Sequence, residues 1–237
     1  MVGILTEEDR KGRRPQLEEV RIWDMRFLKA SVPAPPGLAE KKRLRRLERG
    51  AELLWRAGAR RVLTAPAFAE GELLRAHGLR PVDPVPFCQA LAAPLALAAL
   101  ERAGEVPIRA AVALSAPRAS RPLLRAAEFL CPRVRYLMVD IPGEEGDRLA
   151  AWLREEYGAA VLRPGGTPAP AVVLCFGPGW RGGGTALHLY GPVPDLAGLR
   201  LAPREGDLPQ ELDELPLLAL LWEEGRIKEG EIDILPV

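Results

Sequence analysis

The chain has 237 residues, 48% of them hydrophobic and 27% charged, at a formal net charge of +1. That composition excludes intrinsic disorder, and the length fits one large domain or one domain with an appendage. A balance this close to neutral excludes the strong overall field expected of a nucleic-acid binder, and no run of about 18 apolar residues exists to span a bilayer.

The polar inventory is narrow. Arg outnumbers Lys 28 to 5, Asn is absent, and there are three Ser, four Thr, three Gln and two His. Charged groups and backbone amides are therefore the main means of orienting a ligand. Cys88, Cys131 and Cys175 lie among apolar neighbours without CxxC spacing, which argues against a disulfide framework and against a metal site. The opening residues contain no apolar core of a signal peptide, so a soluble, cytoplasmic protein with no membrane partner is expected.

Residues 1–39 suggest an N-terminal appendage: a short strand at 2–5, a charged loop, a mixed segment at 20–28 compatible with a strand, and a stiff Pro-rich linker at 33–37. An α/β domain is expected over 40–237. Leu44, Leu47, Ala51 and Leu54 recur at helical spacing, with Gly58 as a stop. A strand at 61–65, a helix at 69–77 and a proline-broken strand or loop at 80–86 follow. Residues 87–103 form an apolar helix that Pro94 should kink or split.

The best-defined block alternates a strand at 108–114, a helix capped by Ser120, a strand at 134–141, a helix at 144–157, and strands at 159–162 and 171–176. The strands are apolar nearly throughout, as in a mostly parallel sheet with helices on both faces. Beyond a glycine-rich loop at 177–184 come short strands at 186–190 and 199–201, an apolar helix at 216–222 and a last strand at 231–235. The fold class is thus α/β, with small β-containing additions at both ends.

The order strand–helix–strand–helix–strand–strand over 108–176 resembles the nucleotide-binding half of Rossmann proteins. The short hop between its third and fourth strands resembles the branch that includes shikimate dehydrogenases and glutamyl-tRNA reductases. That resemblance implies a phosphate-binding GxGxxG loop after the first strand and a ribose-binding acid at the end of the second. The matching positions hold Ser115, Pro117 and Ser120, with Arg118 between, and Asp140 stands where the acid belongs. An NAD(P) cofactor is what the resemblance implies. Pro117 has no N–H to donate and adds bulk where a backbone must approach a pyrophosphate. The expectation is therefore a degenerate nucleotide-binding loop without ordinary dinucleotide catalysis.

Other chemistry is sparse. Ser115 and Ser120 are not in a GxSxG context. His77 precedes Gly78 at a helix end, where a cation suits the dipole, and His188 is the better acid/base candidate. Cys88 at a helix start is either a reactive thiol or a small buried hydrophobe. The basic run 41–46 is a solvated helix face with no aromatic interleaving, so no nucleic acid is expected. Acidic residues gather at 205–214 and offer a means of self-association. Gly179, Trp180 and Arg181 form the most distinctive string and follow a strand end, the edge where open α/β sheets bind ligands. The sequence therefore points to an unidentified small molecule or a protein partner, a homo-oligomer included. A divergent NAD(P)-dependent oxidoreductase and a structural interaction module are the alternatives.

Overall fold

The first elements form because short apolar runs alternate with turns. They are β1 (Val2–Glu8), β2 (Gln16–Ile22), β3 (Met25–Pro33), α1 (Glu40–Arg56), β4 (Arg61–Thr64), α2 (Gly71–Ala76) and β5 (Arg80–Pro81). The computed structural model describes residues 1–66 and 68–237 and divides the chain into two units. One comprises Met1–Asp83 with Glu205–Ile227, the other Pro84–Arg204 with Lys228–Val237.

The sheet of the first unit has the order β2-β3-β1-β4-β5, parallel except for β2. Residues 1–39 are thus not an appendage: they supply three of its five strands, β1 at the centre. The single strand expected at 20–28 is instead a hairpin corner. Trp23 and Asp24 both adopt left-handed backbone, φ 49° and 59°, as a two-residue connection between twisted strands requires. Pro33 ends β3 rather than starting a linker, a position where its missing N–H costs no interior ladder bond. The buried face of α1, with Leu47, Ala51 and Leu54, packs on Leu5, Ala30, Val32 and Val62. Each of the Leu and Val side chains contributes roughly 1.5–3 kcal/mol relative to exposure.

The second unit contains α3 (Val85–Ala90), α4 (Ala92–Arg102), β6 (Ala111–Ser115), α5 (Arg121–Leu130), β7 (Tyr136–Asp140), α6 (Glu144–Tyr157), β8 (Val161–Leu162), β9 (Val172–Cys175), β10 (Thr185–His188) and β11 (Leu199–Pro203). The expected long helix is split at Leu91, because Pro94 offers no N–H to the carbonyl of Ala90. Ser120 caps α5, its Oγ accepting from the Leu123 N–H at 3.4 Å. The sheet order is β10-β9-β6-β7-β8, every pair parallel. Counted from β6, that is the doubly wound order 3-2-1-4-5. Helices α4, α5 and α6 pack side by side, with α4 on β9 and α6 on β7 and β8.

The chain then returns to the first unit for α7 (Glu214–Glu223) and ends in the second with β12 (Ile232–Pro236), antiparallel to β11. Among the described residues no helix is long and apolar enough to cross a membrane. The molecule is an α/β protein of parallel sheets flanked by helices.

Candidate functional site

Strand register places four chemically distinct side chains in one row. Ser115 ends β6, Asp140 ends β7, Cys175 ends β9 and His188 ends β10, and they are partners in the order Asp140–Ser115–Cys175–His188. Partners on parallel neighbours share a sheet face, and adjacent strands lie roughly 4.8 Å apart. The row therefore runs along the carboxyl edge on the same face as Ala113, Met138 and Val173. In open α/β sheets this is the edge where ligands bind.

The Ser115 hydroxyl, 2% exposed, donates to Asp140 Oδ2 at 2.8 Å. Asp140 Oδ1 has no protein partner among the described residues. Burial, reinforced by the Asp140 charge, pushes the Cys175 thiol up to about 11. That disfavours the thiolate at neutral pH and argues against Cys175 as a nucleophile. The His188 ring is half-buried and meets Tyr190 edge-on at 5.6 Å between centroids.

The positions of the expected phosphate loop are closed. A Cβ at Gly177 would stand 2.5 Å from Pro117 Cδ. The proline ring thus lies directly against the backbone that follows β9, at the crevice between β6 and β9 where the strand order reverses. At the start of α5, Ser120 already occupies the Leu123 N–H, and Pro122 contributes none. Few free donors remain for a pyrophosphate. Arg118 is exposed beside them.

Trp180 packs against Ala113, Met138, Val173 and Cys175, flanked by Leu162, Ala186 and Tyr190. Gly182 lies so close to the indole that any side chain there would collide with it. Gly179 and Arg181, by contrast, are exposed. The sequence-named residues therefore separate into two groups. Ser115 and Pro117 sit at the crevice, Asp140 lies on the far side of β6 from it, and Trp180 packs on the sheet face. Arg118, Gly179 and Arg181 face solvent, and Ser120 is committed to its helix.

Among the described residues, four buried side-chain polar atoms lack a hydrogen-bond partner: Thr6 Oγ1, Ser31 Oγ, Glu70 Oε2 and Trp180 Nε1. All four lie near or just beyond carboxyl ends of parallel strands. Thr6 and Ser31 are register partners, and their rotatable hydroxyls are readily served by a shared water. An indole N–H can only donate, so Trp180 needs an acceptor brought to it.

Cys175 and His188 as members of the row were not legible in the sequence, because only register aligns them with Ser115. The first unit holds a second missed cluster. Arg43 of α1 donates to both Glu7 oxygens, at 2.6 and 2.8 Å, and also to Glu70 and Glu40. Its guanidinium is held above its ordinary range by the hydrogen bonds to Glu7 and then Glu70. Within the basic run 41–46, expected to be mostly a solvated face, Arg43 is thus tied to carboxylates, and Arg46 donates to the Pro33 carbonyl at 2.7 Å. Cys88 is fully buried in α3, and His77 caps α2. Among the described residues no group of three or more His, Cys, Asp or Glu is arranged to hold a metal ion.

Strand order, parallel register and the carboxyl-edge row define a Rossmann-like α/β protein. No family model matches the sequence, and no curated protein matches it either. Among solved structures, the L-tryptophan dehydrogenase from Nostoc punctiforme is similar over 62% of this chain at 16% identity, with a TM-score of 0.31. The match spans 44% of that dehydrogenase.

Proposed function

We propose that the second unit binds a small polar ligand at the Asp140–Ser115–Cys175–His188 row, beside Trp180, without dinucleotide catalysis. The observation that carries this reading is the buried, unpartnered Trp180 Nε1. An unsatisfied buried donor costs about 1–3 kcal/mol, which a ligand acceptor would recover. The ligand would also donate a hydroxyl or amine hydrogen to Asp140 Oδ1, with the Trp180 and Tyr190 rings as apolar walls. Specificity would come from these few convergent polar groups.

Two features speak against the oxidoreductase alternative. The exposed Pro117 ring lies against Gly177 at the crevice mouth, and the start of α5 has its Leu123 N–H capped by Ser120 and no N–H at Pro122. The high-lying Cys175 thiol speaks equally against a covalent mechanism.

A thermal-shift panel of metabolites, nucleotides included, tests the reading when run with Trp180 fluorescence on wild type and Trp180→Phe. A hit that raises the melting temperature, changes the emission of the wild type and fails with the variant supports it. A panel in which only NAD(P) binds would overturn it in favour of the oxidoreductase. A hit of equal strength in both proteins would remove Trp180 from the site.

A further inference from the structure

The outer edges of the two five-stranded sheets differ in length. β5 and β8 offer two residues each, and β10 offers four, the last of them bridged to Asp195. Short or covered edges of this kind resist pairing with another chain. β2 is different. It presents seven residues, Gln16–Ile22, in unbroken register with β3, without a bulge, Pro or Lys to blunt it. Five of the seven are exposed, Leu17 among them.

The hairpin fixes which backbone groups of β2 are free. In a two-residue connection the flanking pair, here Ile22 and Met25, is hydrogen-bonded. Such pairs alternate along an antiparallel ladder. Glu18 and Val20 thus spend their N–H and C=O groups on β3, and those of Leu17, Glu19 and Arg21 point away from the sheet. Among the described residues no hydrogen bond reaches those outward groups. The charges are unevenly matched too. Arg21 lies opposite Arg26 in the hairpin, and like charges placed opposite each other destabilise a sheet. Glu19 reaches Arg26 only at 3.8 Å, with both side chains largely exposed. Arg21 has no ion pair among the described residues.

We propose that β2 is a homodimer interface, at which β2 of a second copy adds antiparallel across a two-fold axis centred on Val20. In that register Glu19 stands opposite Arg21 of the partner subunit, and Arg21 opposite Glu19 of the partner subunit. These are also the pairs that exchange the outward N–H and C=O groups. Arg21 thereby gains the carboxylate that its own hairpin withholds. Val20 meets Val20 at the axis, and Glu18 faces the apolar Ile22. Centring the axis on Glu18, Glu19 or Arg21 instead sets like charges against each other. Charge therefore selects one register of self-pairing, and it joins two five-stranded sheets edge to edge.

The experiment is sedimentation velocity over a concentration series on wild type, Glu19→Arg, Arg21→Glu, an equimolar mixture of the two and the double variant. Wild type should be a dimer that dissociates on dilution. Each single substitution sets like charges opposite each other and should weaken association at least tenfold. The mixture should dimerise again, because the acidic edge of one protein then faces the basic edge of the other, and the double variant should dimerise because its charges are merely exchanged. Val20→Cys reads the register without altering charge, in a Cys131→Ser background that removes the half-buried native thiol. Residues facing each other at a non-hydrogen-bonded pair lie about 4.5 Å apart between Cα atoms, within reach of a disulfide. Mild oxidation should therefore link Val20→Cys into a covalent dimer and leave Glu18→Cys unlinked. A wild type monomeric at every concentration, single variants that associate as strongly as wild type, or linkage of Glu18→Cys in preference to Val20→Cys would overturn the proposal.

Discussion

The two units end their parallel strands in opposite ways. The carboxyl edge of the first is ionic: Glu7 from the end of β1, Arg43 from the start of α1 and Glu70 from the residue before α2 meet in one network. The carboxyl edge of the second has no such network: a Ser–Asp pair stands beside a thiol that burial pushes up, with an indole packed on the same face. The same scaffold position is closed by charge pairing in one case and by packing in the other. Ion pairing saturates Arg43 and leaves it nothing to offer a ligand. Packing leaves Trp180 with a donor still to satisfy. On the reading proposed above, that contrast favours the second edge over the first as a binding surface.

The largest expected effect tests the ionic edge. Arg43→Met keeps the aliphatic stem but strands the half-buried Glu7 and Glu70 carboxylates, and should lower unfolding stability by about 3 kcal/mol in urea titration. A loss below about 1 kcal/mol would mean that solvent, not Arg43, satisfies those carboxylates.

The packed edge is probed next. Gly177→Ala drives a methyl into Pro117 and should cost about 2 kcal/mol. Pro117→Gly in the same chain should recover most of it, because the colliding ring is gone. Failure of that rescue would place the strain elsewhere than at the crevice.

Helix caps repeat the contrast on a smaller scale. The second unit caps α5 with the neutral Ser120, and the first caps α7 with Asp213, whose Oδ1 accepts from the Leu215 N–H. Ser120→Ala should cost about 1 kcal/mol, equally across the acid range. Burial holds the Asp213 carboxyl above its ordinary value, against the opposing bond from Leu215. A carboxyl raised in the folded state favours folding while protonated, below its unfolded value, and loses that advantage as pH rises through the folded one. Asp213→Asn, which keeps a capping oxygen, should therefore match wild type in acid and become the more stable protein at neutral pH. An Asn variant less stable than wild type at pH 7 would show that the charge, not only the cap, is needed.

The smallest effect concerns Trp180. Without ligand, Trp180→Phe should leave stability unchanged or raise it by up to about 1 kcal/mol, since it removes an unsatisfied donor while keeping an aromatic ring. A loss well beyond that would show that the indole N–H already has a partner.

Much of the second unit was legible in the sequence. Apolar strands, the Ser120 cap and the Pro94 break all follow from local residue chemistry. In the first unit β1, α1, β4, α2 and α7 were legible too, but the β2–β3 hairpin was not, for a local reason. Its hairpin turns on Trp23-Asp24, which lacks the Gly or Asn that normally marks a left-handed connection, so two strands merged into one and their sheet disappeared into an appendage. The Asp140–Ser115–Cys175–His188 row was hidden for a different reason. Its members span residues 115 to 188 and become neighbours only through the register of four strands, which no local pattern encodes.

The chain's path through its two units has a consequence for synthesis. The five strands of the first sheet are complete by Pro81, but the segment bearing Glu211 and Glu223 is not made until more than a hundred residues later. Lys29 and Arg61, whose side chains share a face with Phe27 and Leu63, are the groups that anchor it. A ribosome therefore releases the apolar Phe27 and Leu63 surface well before its cover. During that interval the second sheet, which needs only residues 111–188, can already close. The first sheet is thus tied down by a segment translated well after its own strands.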